Sequence, residues 1–88
     1  ICLSHMGYQY KNEPDKICDL TLAALTEDID LIIGGHTHTF LDKPTVVKNK
    51  VGKEVLVNQV GCYGINLGRI DFYLEDKKMV SNGKSIAV

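Results

Sequence analysis

The chain opens on a short apolar run, ICLS at residues 1–4, and returns to one at IDLII, residues 29–33. The second run is β-branched and almost unbroken, which predicts a strand covered on both faces. Between them Gly7, Asn12 and Pro14 interrupt any period, and Pro14 suits the first turn of a helix. Ile17, Leu20, Thr21, Ala24 and Leu25 then fall at helical spacing, with Asp15 near the helix start. This stripe predicts an amphipathic helix that ends near Glu27 or Asp28. Strand, helix and strand of these lengths predict a right-handed βαβ unit, with residues 1–4 pairing in parallel with residues 29–33. From residue 45 the pattern changes. TVVKNKVGKEVLVNQ predicts two strands around an NKVG turn. INLGRIDFYLED alternates with a change of phase near Gly68, which predicts a bulge, and KKMVSNGKSIAV predicts a weaker last strand or a hairpin around SNG. The expected fold class is therefore α/β, a βαβ unit followed by antiparallel strands.

Length limits this to one domain, because 88 residues with 44% hydrophobic content supply one modest core and would starve two. No repeat, linker or low-complexity stretch divides the chain. Ten basic residues nearly balance eleven acidic ones without forming a block, so charge offers no case for nucleic acid or an anionic membrane. The apolar runs fall far short of the roughly 20 residues of a spanning helix. Cys2, Cys18 and Cys62 are odd in number and contain no C-x-x-C pair, so three free thiols are expected and the compartment stays open. The first residue is Ile1, and the strand-like start has no leader before it, as if the chain begins within a domain.

The chemistry-bearing stretch is GGHTHT, residues 34–39, which leaves the carboxyl end of a predicted parallel strand, as His5 does. Such ends are where open α/β sheets build their sites. In an extended segment His36 and His38 would project to one side with Cα atoms roughly 6.5–7 Å apart, and Gly34 and Gly35 permit a sharp turn and close approach to a ligand. Neutral imidazole is a common ligand of divalent metals, and two ions about 3.5–4 Å apart would accept one imidazole each. On the residues alone, a structural role for the histidines stays open beside the metal-binding one.

LSHMG, followed by a helix and then DIDLIIGGHTHTFL, resembles the last two metal-binding blocks of the calcineurin-like metallophosphoesterases, which end in G-H-x-H. VLVNQVGCYGINLGRIDF resembles more narrowly their bacterial 5′-nucleotidase branch. The resemblance covers roughly residues 1–75 and implies a two-sheet sandwich with two divalent ions, of which Mn, Zn, Fe or Co would serve. It implies that His5 and His36 bind one ion and His38 the other, and that the ions together activate the attacking oxygen on a nucleotide or other phosphate monoester. The family's D-x-H, G-D-x-x-D and G-N-H-[DE] blocks do not occur in this chain. Residues 1–88 are thus expected to form one partial domain, the C-terminal third of a catalytic domain, inactive alone, binding at most one ion weakly and associating with itself. Export of the parent is compatible with the resemblance.

The remaining candidates carry less. Asn58 and Gln59 would approach the pocket if their strand ends beside it, and Asn58 is the candidate substrate contact. Asp30 and Asp42 flank the histidine loop as acceptors for imidazoles or as surface caps. Tyr8 and Tyr10 either line a substrate mouth or pack against the helix. Thr37 and Thr39 are expected to bond within the loop rather than act as nucleophiles, and Cys62 to be structural. Two other readings stand beside the dinuclear one: a self-contained single-zinc hydrolase using His5, His36 and His38, and a non-catalytic α/β interaction module.

Overall fold

A computed structural model describes residues 1–88 as two β-sheets and one short helix. Strand β1 (Cys2–Leu3), helix α1 (Asp19–Leu25) and strand β2 (Leu31–Ile33) form the expected βαβ unit. Cys2 pairs with Ile32 and Leu3 with Ile33 in parallel register. Leu31 and Ile32 point to opposite faces and are both buried, so β2 is covered on two sides as its unbroken apolar run requires.

The helix is shorter than its stripe predicts. Residues 11–16 fold as turns, with Lys16 N–H bonded to Glu13 C=O at 3.0 Å, so Ile17 precedes the helix and is exposed. The buried face is Asp19 and Ala23, one turn apart, flanked by Leu20 and Leu22, while Ala24 and Leu25 face outward. Thr26 stops the helix in extended backbone, its hydroxyl donating back to Leu22 C=O at 2.6 Å. The helix therefore ends before Glu27.

Strands β3 (Thr45–Lys48) and β4 (Glu54–Asn58) form the expected antiparallel hairpin. The turn is tied by buried Asn49, whose Oδ1 accepts from Val51 N–H at 3.0 Å and Lys53 N–H at 2.9 Å. The expectation that this half is wholly antiparallel is corrected at β4, which also pairs in parallel with β2 and gives the order β1-β2-β4-β3. Val55, Leu56 and Val57 are all buried, and three consecutive buried residues can be accommodated only by a strand with cover on both faces. Ala23, Ile32, Val55 and Val57 make the core, with Cys2, Tyr8, Leu20, Leu22, Ile29 and Val47 packed around it.

Strands β5 (Asn66–Glu75) and β6 (Lys78–Ala87) form a separate hairpin. Its register runs without a slip from Asn66 opposite Ala87 to Glu75 opposite Lys78, so there is no bulge at Gly68. SNG lies in mid-strand. The turn is at Asp76 and Lys77, with φ of 50° and 67°, the left-handed pair that a two-residue hairpin turn needs to match strand twist. Gly68 and Gly83 instead mark where the hairpin touches the first sheet. A Cβ at Gly68 would lie 3.0 Å from Asn58 Nδ2 and Val60 Cγ1, and one at Gly83 would lie 2.6 Å from the ring of Pro44.

The molecule is flat, 40 × 34 × 17 Å. A compact monomer of 9.8 kDa would expose about 5,200 Å² by the usual scaling, whereas this chain exposes 6237 Å², with Leu3, Leu67, Leu74 and Met79 more than half exposed. Those four residues lie on strands. No helix is long and apolar enough to cross a membrane.

Candidate metal centre

The three parallel strands β1, β2 and β4 end side by side, and each delivers polar residues to that edge. Pairing continues past the strand ends, with Ser4 N–H bonded to Ile33 C=O and Gly34 N–H bonded to Asn58 C=O, both at 2.9 Å. His5, the 34–39 loop and Gln59 are thereby brought together. The rings of His5 and His36 meet edge to face with centroids 5.1 Å apart. His38 turns elsewhere, toward Tyr63 at 6.3 Å.

This division comes from the backbone, and it corrects the extended loop expected above. His36 and His38 have φ of 70° and 52°, and Thr37 N–H bonds to Gly35 C=O at 2.8 Å, closing a three-residue turn on His36. Two left-handed residues break the alternation that would have aimed both imidazoles into one cavity. Each costs about 1–2 kcal/mol in a residue with a Cβ, and non-glycine residues held this way concentrate at functional sites.

Several polar side chains brace the loop. Thr37 Oγ1 accepts from Tyr8 N–H at 3.0 Å and shares a hydrogen bond of 2.9 Å with Thr39 Oγ1, which joins the segment after His5 to the segment around His38. Gln59, 2% exposed, donates from Nε2 to Gly35 C=O at 3.0 Å and accepts Thr39 N–H at Oε1. Ser4 Oγ donates to Asp19 Oδ1 at 2.6 Å and accepts from Met6 N–H at 3.2 Å, bracing His5 on both sides. Asp19 is fully buried, and its Oδ2 has no hydrogen-bond partner and fills the space where a Cβ on Gly34 would stand.

Two imidazoles on one ion, with bonds of about 2.1 Å, place their ring centres roughly 4.5–5.5 Å apart, and the His5–His36 separation of 5.1 Å lies in that range. The pair would offer two donors, one nitrogen from each ring. No group of three or more His, Cys, Asp or Glu side chains converges, so the three-histidine single-zinc site is not assembled. All three histidines are exposed, and the edge they line is open. A recess of about 330 Å³ beside Tyr10, Lys16 and Thr21 contains none of them.

The other candidates fall as follows. Asn58 is buried at the junction with the hairpin, its amide beside Gly68. Asp30 and Asp42 are exposed and bond only through their backbone carbonyls, to Leu56 N–H and Ser85 N–H. Tyr8 packs inward, its hydroxyl 2.7 Å from Thr45 Oγ1, and Tyr10 donates to Met6 C=O at 2.6 Å under the ammonium of Lys16. The threonines bond within the loop as expected, and the three cysteines are free. Sequence reasoning missed Asp19 and the exposed Tyr63 beside His38. The signal for Asp19 was a carboxylate placed one turn before Ala23, on the helix face that packs against the sheet.

No family model matches the chain. It is 42% identical over 85 residues to the trifunctional nucleotide phosphoesterase YfkN of Bacillus subtilis, covering 97% of this chain and 5% of that protein. It is 30% identical over 101 residues to a snake venom 5′-nucleotidase of Gloydius brevicauda, covering 98% of this chain and 16% of that protein. The crystal structure of a 5′-nucleotidase precursor from Thermus thermophilus superposes on 78% of this chain and 16% of that one, with a TM-score of 0.70 and 32% identity. With the two-sheet α/β fold and the histidine-bearing strand ends, these matches define the class: the chain belongs to the calcineurin-like metallophosphoesterases. Within them it falls among the 5′-nucleotidases and their relatives, and it spans between a twentieth and a sixth of the length of these proteins.

Proposed function

We propose that the chain is the histidine-bearing part of a dinuclear-metal phosphoester hydrolase acting on nucleoside 5′-monophosphates or closely related phosphate esters. The observation that supports this reading is the divided histidine geometry, with His36 against His5 and His38 aimed away from that pair. His5 and His36 would hold one divalent ion and His38 would contribute to a second. Such ions supply an activated oxygen nucleophile and charge stabilisation at phosphorus. The chain's own residues hold the imidazoles in place, through the Ser4–Asp19 bond under His5 and the Thr37 and Gln59 bonds around His36 and His38. Asn58 ends β4 at the same edge with its amide buried beside Gly68, so a substrate contact would require that amide to turn out of the junction. The names of the relatives favour this enzymatic reading over a non-catalytic module.

The test is turnover of a nucleoside 5′-monophosphate and an aryl phosphate by the phosphoesterase that carries these residues, before and after chelation. Chelation should abolish turnover, and adding back Mn, Zn or Co should restore it. Turnover that survives complete removal of metal would sink the reading. The 88 residues alone should stay at background, because two imidazoles leave a single ion short of ligands and provide no group to protonate the leaving oxygen.

The 88-residue chain is also expected to self-associate. About 1,000 Å² more surface is exposed than the compact-monomer scaling allows, and the apolar residues Phe72, Leu74 and Met79 share one face of the β5–β6 hairpin, with Leu74 directly opposite Met79. Sedimentation equilibrium over a hundredfold concentration range should show a dimer or larger species. A folded monomer at the highest concentration would count against it.

A further inference from the structure

Gln59 follows directly on β4, yet its side chain serves a different segment. Nε2 donates to Gly35 C=O, the carbonyl just before His36, and Oε1 accepts Thr39 N–H, the amide just after His38. The two partners are backbone groups of fixed polarity, so only one orientation of the amide satisfies both. The main chain adds a further tie, since Gln59 C=O accepts Leu41 N–H at 3.2 Å and Thr39 C=O accepts Gly61 N–H at 2.8 Å. One buried side chain therefore spans the loop from its entry to its exit and fixes the distance between its ends. Within that span both histidines sit at positive φ, a conformation that an untethered loop would relax.

We propose that Gln59 is the positioning residue for both metal-binding histidines, delivering His36 to His5 and holding His38 on the opposite side. The proposal rests on the dinuclear reading above. It assigns Gln59 no contact with metal or substrate. Groups that orient metal-ligating histidines commonly change metal affinity by about 10- to 100-fold when removed, and here one group orients two ligands that serve different ions.

The experiment uses the intact phosphoesterase with Gln59→Met, which keeps length and removes both bonds, and Gln59→Glu, which keeps shape but sets an acceptor against Gly35 C=O. Asn49→Ala is the control, because it strips two hydrogen bonds from a buried side chain at the far turn of the β3–β4 hairpin. The readouts are Mn and Co affinity, the inter-ring contact of His5 and His36 by NMR in the metal-free protein, thermal midpoint, and kcat and KM for a nucleoside 5′-monophosphate. Both Gln59 variants should bind metal at least about tenfold more weakly, lose the inter-ring contact, and lower kcat with little change in KM. Asn49→Ala should lower the midpoint comparably and leave metal affinity unchanged. Wild-type metal affinity and kcat in Gln59→Met would overturn the proposal, as would an equal loss of metal affinity in Asn49→Ala. His36→Ala in the same series separates the two ideas. If it also leaves metal and turnover untouched, the dinuclear reading has failed; if it costs one ion and turnover while Gln59→Met does not, only the role of Gln59 has failed.

Discussion

Replacing Gly34 with alanine should destabilise the protein by about 3 kcal/mol, the upper range for overpacking a filled interior by a single methyl group. The expectation comes from space, since the added Cβ would enter the volume held by Asp19 Oδ2, with Gln59 Nε2 3.5 Å away on another side. Asp19 has no room to retreat. It is fully buried, and its other oxygen is held by Ser4. Moving the carboxylate would release the brace under His5, and moving Gly34 would break its bond to Asn58 C=O and the parallel pairing of β2 with β4. A double-mutant cycle isolates this cause. Asp19→Ala opens the space, so Gly34→Ala should cost at least about 1 kcal/mol less in that background. Urea denaturation of the four proteins measures it. A Gly34→Ala variant within about 0.5 kcal/mol of wild type would show that the carboxylate moves freely.

The βαβ unit was legible because its signals are local. A β-branched run, a proline and a helical stripe are each read within a few residues, and the parallel pairing of Cys2 with Ile32 follows from the length of the crossover. The position of β4 was not. Strand order depends on which edge of β2 is free, a long-range fact, although the unbroken VLV run carried the hint of cover on both faces. Gly68 and the SNG stretch misled for a related reason. A glycine marks either a bulge or a close approach, and only the contacts of Gly68 with Asn58 and Val60, and of Gly83 with Pro44, select the second. In the site, the residue types and strand ends were readable, and the loop's shape was not. Left-handed backbone at two histidines contradicts their intrinsic preference and is held by bonds from Gln59 and Tyr8, both outside the loop in sequence, to Thr39, Gly35 and Thr37 within it.

In the intact phosphoesterase, His36→Ala and His38→Ala should each lower turnover by at least about a thousandfold, which corresponds to roughly 4 kcal/mol of transition-state stabilisation. The pattern of the double variants discriminates more sharply than either loss. His5 and His36 lie ring to ring, so they serve the same proposed ion, and His5→Ala/His36→Ala should be little worse than either single change. His36→Ala/His38→Ala removes a ligand from each ion, so metal content should fall from two per chain toward none, against one for each single variant. Stability should move the other way. All three histidines are exposed, so truncation leaves no cavity, and the positive φ at His36 and His38 is a strain that glycine would release. His36→Gly and His38→Gly should therefore be more stable than the corresponding alanine variants by about 1 kcal/mol in the metal-free state. They should be equally inactive. Metal analysis of the dialysed proteins, steady-state turnover and urea denaturation provide the three readings. If His38→Ala removed the same ion as His36→Ala, leaving a second ion bound in the double variant, the division of the histidines between two ions would be wrong.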